Sequence, residues 1–331
     1  TPQSSEMEKP EIFFELDRLP YFLSLTRTIW KRYPKRRKIQ TWNLMRCLMK
    51  NSEHTVPNRY AVIGHPVEHS LSPVIHKLFA DQSGEKMSYE LIDAAPAHFE
   101  EAVEHFKATG GQGLNVTVPH KESAFRLSDE TGPEGARAGA VNTLSFLPDG
   151  RVRGDNTDGI GIIRDLTVNH NYSLTGIRIL ILGAGGAARG ILGPLLDALP
   201  NELVIANRTI DHAHQLVKHI SDDKNALLHA CSFEELKGMD PFDLLINATS
   251  AGLKGEILPF PTGCAGPKSF CYDLAYSAKE TPFLAWAQQC SAEKTSSGWG
   301  MLVEQAAESF LIWKGFRPET GPALKNTPTS A

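Results

Sequence analysis

Short apolar runs and longer helical patterns alternate along the chain from residue 60 onward. The apolar runs predict three strands in a first series, at Tyr60–Gly64, Tyr89–Ile92 and Gly113–Pro119. Between the first two strands, Ser72 and Pro73 predict the start of a helix with the serine as its N-cap. Apolar residues then recur at helical spacing between residues 96 and 108. Strands that alternate with helices predict an α/β unit with a parallel sheet.

A second series begins at Ile177–Leu182, which is an almost continuous apolar run. Such a run is typical of a central strand in a parallel sheet, because that strand is buried on both faces. A helix is predicted at Ile191–Leu199. Further strands are predicted at Glu202–Ala206, Asp243–Asn247 and Phe270–Leu274. At about 150 residues per domain, a chain of 331 residues has room for two such α/β domains.

The composition is typical of an ordinary folded protein. Hydrophobic residues make up 41% and charged residues 22%, a balance that excludes a mostly disordered chain. No uncharged apolar run approaches the ~20 residues of a membrane helix, so we expect no membrane partner. The five cysteines are scattered and form no CxxC pair, which favours a reducing compartment, the cytoplasm.

The net charge of −4 conceals a basic leader and an acidic remainder. Residues 1–58 carry a net charge of +5 and the remainder carries −9. The basic cluster Lys31–Lys38 is typical of a nucleic-acid patch, a membrane-surface segment or a transit peptide. A transit peptide is poor in acidic residues, whereas five of them precede Arg18. We interpret residues 1–58 as a dispensable or non-native leader and expect no nucleic-acid partner.

We expect a chain that starts at Met49 to keep full activity, because the first predicted strand begins only at Tyr60. The measurement compares the soluble yield and the steady-state kinetics of the full and the shortened chains. A shortened chain that is insoluble or inactive contradicts the interpretation of the leader.

One short motif has a metal-binding alternative. His65–His69 matches H-x-x-E-H, which binds zinc when both histidines share one face of a helix. Pro66 comes two residues after Gly64, where the predicted strand ends, so we expect a loop at this place and no metal site.

A glycine-rich loop follows the first strand of the second series. Gly183-Ala184-Gly185-Gly186-Ala187-Ala188 matches G-x-G-x-x-A, between a predicted strand and a predicted helix. In this fingerprint the first glycine allows the tight turn and the second lets the backbone approach a pyrophosphate. The helix N-terminus then faces the phosphates. The plain alternative is a glycine-rich turn, but the strand and helix context favours dinucleotide binding.

The end of the next strand distinguishes between the two nicotinamide dinucleotides. An NAD site places Asp or Glu there, for the 2′-hydroxyl of the ribose. This chain has Asn207-Arg208-Thr209 instead, and a guanidinium forms paired, charge-assisted bonds with phosphate oxygens. The sequence therefore predicts NADP (NADPH) as the cofactor, although Asp211 lies close by.

Three further polar groups occur at predicted strand ends and helix faces. Asn115, Thr117 and Lys121 surround the end of the third strand, where open α/β sheets bind ligands. Asn142 and Asp158 belong to polar segments that by themselves are typical of turns. Gln305 belongs to a predicted helix, where its plain interpretation is one exposed amide on a core helix. A lone lysine such as Lys121 is more often a solvated surface residue.

In combination, these motifs resemble those of the shikimate dehydrogenase family, over residues 59 to about 318. The resemblance implies nine substrate-binding residues: Ser70, Ser72, Asn115, Thr117, Lys121, Asn142, Asp158, Tyr276 and Gln305. It also implies that the cofactor meets Thr249, Ser250, Gly298 and Met301 in addition to the glycine loop and the segment Asn207–Thr209. The implied fold has a substrate domain with a mostly parallel sheet and a Rossmann-type NADP-binding domain. The implied domain bounds are 59–157 with 298–331 and 158–297, with the C-terminal helix returning to the first domain.

The family resemblance implies the reversible reduction of 3-dehydroshikimate to shikimate by NADPH, a step of aromatic amino-acid biosynthesis. A hydride that arrives at a ketone leaves negative charge on the oxygen, which a nearby ammonium stabilises and protonates. Lys121 is the candidate acid/base, paired with Asp158. In NADP-dependent relatives a second basic residue often follows three positions after the threonine of the Asn-Arg-Thr segment. His212 occupies that position, which predicts a weaker or pH-dependent phosphate site.

Two alternatives remain at this point. One is an NAD-preferring quinate/shikimate dehydrogenase. The other, from a different class, is a dinucleotide-binding sensor without catalysis, against which Lys121 and Asp158 together argue. The expected partner is a small-molecule substrate, and the sequence leaves monomer and homodimer open.

Overall fold

The computed structural model of the chain describes residues 58–220, 227–249, 251, 260–277 and 279–327. Two six-stranded sheets organise these residues, each with helices packed against it. The predicted fold class of two α/β domains is therefore confirmed. The leader lies outside the described residues except for Asn58, which begins the first strand.

The first sheet is mixed. Its strands are β1 (Asn58–Gly64), β2 (Met87–Asp93), β3 (Gly111–Val116), β4 (Glu130–Thr131), β5 (Thr143–Phe146) and β6 (Val152–Asp155). The strand order is β2-β1-β3-β5-β6-β4. Neighbours are parallel, except that β5 runs antiparallel to both β3 and β6. The predicted third strand ends at Val116, so Thr117 and Pro119 already lie beyond the carboxyl end of β3.

Four helices accompany the first sheet. They are α1 (Ser72–Ser83), α2 (Phe99–Ala108), α3 (Lys121–Leu127) and α4 (Pro133–Ala138), with a short 3-10 turn at Pro96–His98 before α2. The prediction of Ser72 as an N-cap is wrong. Ser72 is already the first helical residue, and Leu71 precedes it without a capping side chain. The hydroxyl of Ser72 accepts a hydrogen bond from Ser70 Oγ (3.2 Å) instead of capping the helix.

The second sheet is entirely parallel, with the strand order β12-β11-β10-β7-β8-β9. Its strands are β7 (Arg178–Leu182), β8 (Glu202–Ala206), β9 (Leu228–Cys231), β10 (Leu244–Asn247), β11 (Phe270–Asp273) and β12 (Lys294–Ser297). The chain leaves β7 toward β8 on one side and later returns to β10 on the other side. This change of direction makes the carboxyl ends of β7 and β10 the place where such sheets bind ligands.

The helices around the second sheet are α5 (Asp158–Arg164), α6 (Gly186–Asp197), α7 (Ile210–Ile220) and α8 (Pro282–Gln289). A π-helical segment, Asp165–Asn169, directly continues α5. The predicted start of α6 at Ile191 is wrong by more than a turn, because the helix begins inside the glycine loop at Gly186. The glycines there lack side-chain signals for a helix, which explains the late prediction.

The C-terminal part of the chain forms α9 (Trp299–Lys314) and α10 (Gly321–Leu324). Val303 and Phe310 of α9 share an apolar cluster with Ile75 and Phe79 of α1, so this helix returns to the first sheet as predicted. No helix among the residues that the structure describes is both long enough and apolar enough to cross a membrane.

Candidate active site

Lys121 and Asp158 form a nearly buried ion pair. Lys121 is the first residue of α3 and Asp158 the first residue of α5. The ammonium nitrogen donates to Asp158 Oδ2 at 2.6 Å, and the two side chains are only 12% and 5% exposed. The lysine is therefore not the solvated surface residue of the plain interpretation. The two charges hold each other in place with little competition from water.

Asn142 links this ion pair to the C-terminal helix. Its amide Nδ2 lies 2.9 Å from Asp158 Oδ1 and 3.1 Å from Gln305 Oε1. Its Oδ1 accepts the backbone N–H of Thr157 at 2.9 Å. Asn142, Asp158 and Gln305 are all buried, so the amide on α9 is not an exposed residue of a core helix. The structure thus brings three predicted site residues from distant parts of the chain into one hydrogen-bonded group.

Asn115 lies in a second group, which contains residues that the sequence analysis missed. Its Oδ1 accepts the hydroxyl of Tyr89 at 2.6 Å and lies 3.1 Å from Nε2 of His76. Burial lowers the pKa of His76 to about 3, so the ring is neutral and its Nε2–H donates to Asn115. Asn115 Nδ2 donates to Ser309 Oγ at 2.9 Å. Asn115 is therefore held in a single orientation beneath the site.

The predicted serine loop lies beside two tyrosines. Ser70 Oγ donates to Ser72 Oγ at 3.2 Å. Burial raises the pKa of Tyr276, while a hydrogen bond with Ser70 opposes the shift. Tyr89 behaves in the same way, with burial raising its pKa and a hydrogen bond with Ser72 opposing that shift. Both tyrosines therefore stay protonated. The hydroxyls of Ser70, Ser72 and Tyr276 are neutral groups that can hydrogen-bond to an anionic ligand, whereas the Tyr89 hydroxyl is already donated to Asn115.

Thr117 lies at the carboxyl end of β3, next to the end of β1. Its backbone N–H donates to Ile63 O at 2.9 Å, and its side chain is half-buried. A Cβ atom at Gly64 would lie 2.4 Å from Thr117 Cγ2, so the glycine leaves the space that the threonine methyl occupies. The side chain of Thr117 thus lies against the end of β1, just before the segment that leads to the serine loop.

The glycine loop has the geometry that a dinucleotide pyrophosphate requires. Gly183 adopts φ +105°, where only glycine is unstrained, and an added Cβ would lie 3.1 Å from the backbone of Ala248. No heavy atom of the described residues lies within 4 Å of a Cβ placed on Gly185, so nothing among them closes this point to a ligand. The helix α6 begins at the next residue and directs its first backbone N–H groups to the same opening. Ala188 is fully buried against the sheet, as the fingerprint requires.

The remaining predicted cofactor residues surround this loop. Thr249 packs against Gly183 and donates its hydroxyl to Asn247 Oδ1 at 2.7 Å, while Ser250 lies outside the described residues. At the end of β8, Asn207 Nδ2 donates to the carbonyl of Thr209 at 2.8 Å, which shapes a turn. Arg208 stands exposed on this turn, and its guanidinium is accessible to a phosphate.

The two halves of the predicted site meet at α6. A Cβ at Gly186 would lie 3.2 Å from Cβ of Lys121, so the lysine stem lies against the glycine loop. One turn later, a Cβ at Gly190 would lie 2.8 Å from Asp158 Oδ2. The helix α6, which begins in the glycine loop, therefore also contacts the ion pair, without side chains of its own between them.

Gly298 and Met301 occur at the beginning of α9. Gly298 precedes the helix, and a Cβ there would lie 2.2 Å from the carbonyl oxygen of Leu274, which follows β11. Met301 is buried in the apolar cluster of the second sheet. The start of α9 therefore stands close to the carboxyl end of the second sheet, and its later turns carry Gln305 to the first.

Sequence reasoning missed Tyr89, His76 and Ser309, as well as Asn156, which accepts the backbone N–H of Asp158 at 3.0 Å. Asn156 lies in the same segment as Asp158, and an asparagine two residues before a helix start is a recognisable capping signal. The other three carry no local signal, because each contacts a partner far away in the sequence.

These features define a class of protein, an α/β enzyme that binds a dinucleotide beside a buried lysine and carboxylate. Two family models match the chain: the substrate binding domain of shikimate dehydrogenase over residues 62–144, and shikimate / quinate 5-dehydrogenase over residues 166–254. The chain belongs to the shikimate dehydrogenase family.

Individual relatives agree with this assignment. The chain is 52% identical over 267 residues to the NADP(+) shikimate dehydrogenase of Alkalilimnicola ehrlichii, covering 81% of this chain and 97% of that protein. Among solved structures it is similar to an Ael1 enzyme from Pseudomonas putida, with a TM-score of 0.74, 42% identity and coverage of 83% and 99%. It is also similar to the Thermus thermophilus shikimate 5-dehydrogenase in complex with NADP(H) and shikimate, with a TM-score of 0.69, 32% identity and coverage of 81% and 97%.

Proposed function

We propose that this chain catalyses the reversible reduction of 3-dehydroshikimate to shikimate with NADPH, and that Lys121 is its acid/base, paired with Asp158. The observation that supports this most directly is the 2.6 Å bond between the lysine ammonium and the aspartate, enclosed beside the glycine loop. An acid/base needs a proton, a fixed position and limited access of water, and the environment of Lys121 supplies all three.

NADPH, when bound, supplies the hydride for the ketone carbon. As negative charge develops on the ketone oxygen, the Lys121 ammonium stabilises that charge and donates its proton to the oxygen. Asp158 orients the ammonium, because its other oxygen is already held by Asn142 at 2.9 Å. In the oxidative direction, the neutral amine of Lys121 accepts the hydroxyl proton.

The substrate is a ring with one carboxylate and several hydroxyls. Ser70, Ser72 and Tyr276 are proposed to bind the carboxylate, because their hydroxyls are neutral donors that lie together at the start of α1. Asn115, Thr117, Asn142 and Gln305 are proposed to select the ring hydroxyls. A site that hydrogen-bonds a hydroxyl discriminates strongly against analogues that lack it, because its polar groups would remain unpaired.

The cofactor is proposed to bind along the edge of the second sheet. The loop from Gly183 through Ala187 and the first turn of α6 meet the pyrophosphate, and Asn207–Thr209 meets the 2′-phosphate. Thr249 packs against the loop. Ser250 is proposed to contact the cofactor on the family resemblance alone, and Gly298 and Met301 are proposed to lie at the nicotinamide. The body carries a net charge of −9 yet binds anionic ligands, so Arg208, Lys121 and the helix N-terminus must create a local positive field.

The domain bounds of residues 59–157 with 298–331, and of residues 158–297, remain our proposal for how the chain divides between substrate and cofactor. We propose that the enzyme acts in the cytoplasm on this small molecule, as a monomer or homodimer. The four cysteines among the described residues are free thiols, which supports a reducing compartment.

Turnover of shikimate with NADP, followed at the nicotinamide absorbance, tests the function directly. The same assay with quinate in place of shikimate, and with NAD in place of NADP, tests the alternative of an NAD-preferring quinate/shikimate dehydrogenase. We expect shikimate with NADP to have the highest kcat/KM of the four combinations, because Arg208 faces the 2′-phosphate position and no acidic side chain replaces it at the end of β8. No turnover with any combination, together with tight NADPH binding, would identify the dinucleotide sensor instead.

A further inference from the structure

A buried carboxylate that the proposed mechanism does not use lies directly after α5. Asp165 begins the π-helical segment and is only 2% exposed. Its Oδ2 accepts the hydroxyl of Tyr272 at 2.6 Å, and its Oδ1 accepts Asn169 Nδ2 at 2.8 Å. His170 Nε2 is 3.6 Å from the same Oδ2. A π-helical turn is an uncommon local geometry that occurs frequently at functional sites.

Tyr272 joins this carboxylate to the beginning of α9. The tyrosine lies on β11 and is fully buried. Its oxygen accepts the backbone N–H of Met301 at 3.3 Å while its proton goes to Asp165. Burial raises the pKa of Tyr272 well above its ordinary value, and the charge of Asp165 raises it further. The phenol therefore stays protonated, and it donates and accepts at the same time.

The hydrogen bond from the Met301 N–H to Tyr272 takes the place of a side-chain cap at the start of α9. The residue before α9 is Gly298, which has no side chain that could accept the first N–H groups of the helix. Tyr272 accepts one of them, and the negative charge of Asp165 lies against the same turn, where the helix dipole favours it. A Cβ at Gly300 would lie 1.9 Å from Asp165 Oδ1, so only glycine lets the carboxylate come this close.

The same two helices meet again next to the ion pair. Between Asp158 and Asp165, a Cβ at Gly161 would lie 2.8 Å from Cβ of Gln305 on α9. The helix α5 and its continuation therefore contact α9 at two levels, at Gly161 near the active-site amide and at Asp165 near the helix start. Because both contacts are close and lack intervening side chains, a shift of α9 at one level moves it at the other.

We propose that Asp165 and Tyr272 are positioning residues, which fix the start of α9 and thereby set Met301 and Gln305 in register with the Lys121–Asp158 pair. This inference rests on the proposed function, because it takes Met301 to lie at the nicotinamide and Gln305 at the substrate. Neither Asp165 nor Tyr272 touches the reacting atoms. Both act through the helix that carries the two binding residues.

The Tyr272→Phe variant removes the hydroxyl and leaves both the carboxylate and the Met301 N–H short of a partner. We expect kcat/KM for NADPH to fall about tenfold, a free-energy change of the size that a single buried hydrogen bond contributes. We also expect a larger primary deuterium isotope effect with deuterated NADPH, because misplaced groups make hydride transfer slower than the other steps. Asp165→Asn keeps an acceptor for Tyr272 and should stay within about twofold of the parent, whereas Asp165→Ala should resemble Tyr272→Phe.

Tyr172→Phe is the matched control. Tyr172 packs against the same apolar cluster of the second sheet, but its hydroxyl donates to the carbonyl of Asp243 at 3.0 Å, away from α9. We expect this variant to lose thermal stability without a change in kcat, KM or isotope effect. A Tyr272→Phe variant that behaves like Tyr172→Phe overturns the proposal, since the pair would then only stabilise the fold.

Two further results keep the test decisive. If Tyr272→Phe does not fold, equal kinetics of Asp165→Asn and Asp165→Ala overturn the proposal, and a difference in the expected direction supports it. If the wild-type chain fails to oxidise shikimate, the proposed function is wrong. NADPH fluorescence titrations then test the positioning role of Asp165 and Tyr272 independently of turnover. A dissociation constant for NADPH that is unchanged in the folded Tyr272→Phe or Asp165→Ala variant overturns the positioning role. A dissociation constant that is several-fold larger supports it.

Discussion

Replacing Lys121 with alanine should lower kcat for shikimate oxidation by about a thousandfold, within the range that a positioned acid or base contributes. The ammonium is the group closest to the Asp158 carboxylate, at 2.6 Å, and no other lysine or arginine lies within salt-bridge distance of Asp158 among the described residues. KM for NADP should change little, because the glycine loop and Arg208 are the residues proposed to bind the cofactor. Steady-state kinetics at several pH values measure both parameters.

Lys77→Ala is a suitable control for this experiment. Lys77 forms an exposed ion pair with Asp81 on α1 and has no role in the proposed chemistry. Its removal should therefore leave kcat unchanged. Loss of Lys121 leaves Asp158 buried without its cation, so a thermal melt must show that the variant is folded under assay conditions. Turnover of folded Lys121→Ala at a rate near that of the parent would disprove the acid/base assignment, even if the overall function is correct.

Replacing Arg208 with alanine should raise KM for NADP by about tenfold to a hundredfold and leave KM for NAD nearly unchanged. The guanidinium is exposed at the end of β8, on the turn that Asn207 shapes, and only NADP carries a phosphate there. A bidentate, charge-assisted contact is worth more than a neutral one, which explains the size of the expected effect. The kinetic comparison of the two cofactors with shikimate as the substrate measures it.

Arg151→Ala provides the control for charge alone. Arg151 is exposed just before β6 and pairs with Asp149 and Glu130, so its removal changes the net charge by the same amount at a residue with no proposed role in cofactor binding. Its removal should leave both Michaelis constants within about twofold of the parent. An equal increase for NADP and NAD in Arg208→Ala would reject a contact with the 2′-phosphate and would favour a general effect on the loop.

Much of the fold was predictable from local patterns. The strand Glu202–Ala206 was predicted with its observed bounds, and the predicted strand at Ile177–Leu182 begins only one residue before β7. Both are nearly continuous apolar runs, which a parallel strand buried on both faces requires. By contrast, β12 at Lys294–Ser297 consists of one lysine, one threonine and two serines, and its pairing with β11 alone makes it a strand.

The candidate site was predictable where one motif carries the chemistry. The glycine loop needs specific residues at fixed spacing, so Gly183 and Gly185 were identified from their order alone. The contact of Lys121 with Asp158 was proposed from family resemblance, and the structure then brought together these two residues, 37 positions apart. Tyr89 and His76 had no such signal, since an isolated tyrosine or histidine is more often part of the core.

The sequence by itself therefore determined seven of the twelve strands in the described residues, the order of the two α/β series and the glycine loop that predicts dinucleotide binding. It also supplied Arg208 as the basic residue that predicts NADP. Each of these depends on neighbouring residues, whose spacing follows from the geometry of one strand, turn or helix. Only the tertiary structure decided which polar groups become partners, such as Asn115 with Ser309, 194 residues apart, and Tyr272 with Asp165, 107 residues apart. Such pairs arise because the packing of α9 against α5 and both sheets buries these groups together, and a buried polar group must take whichever partner that packing supplies.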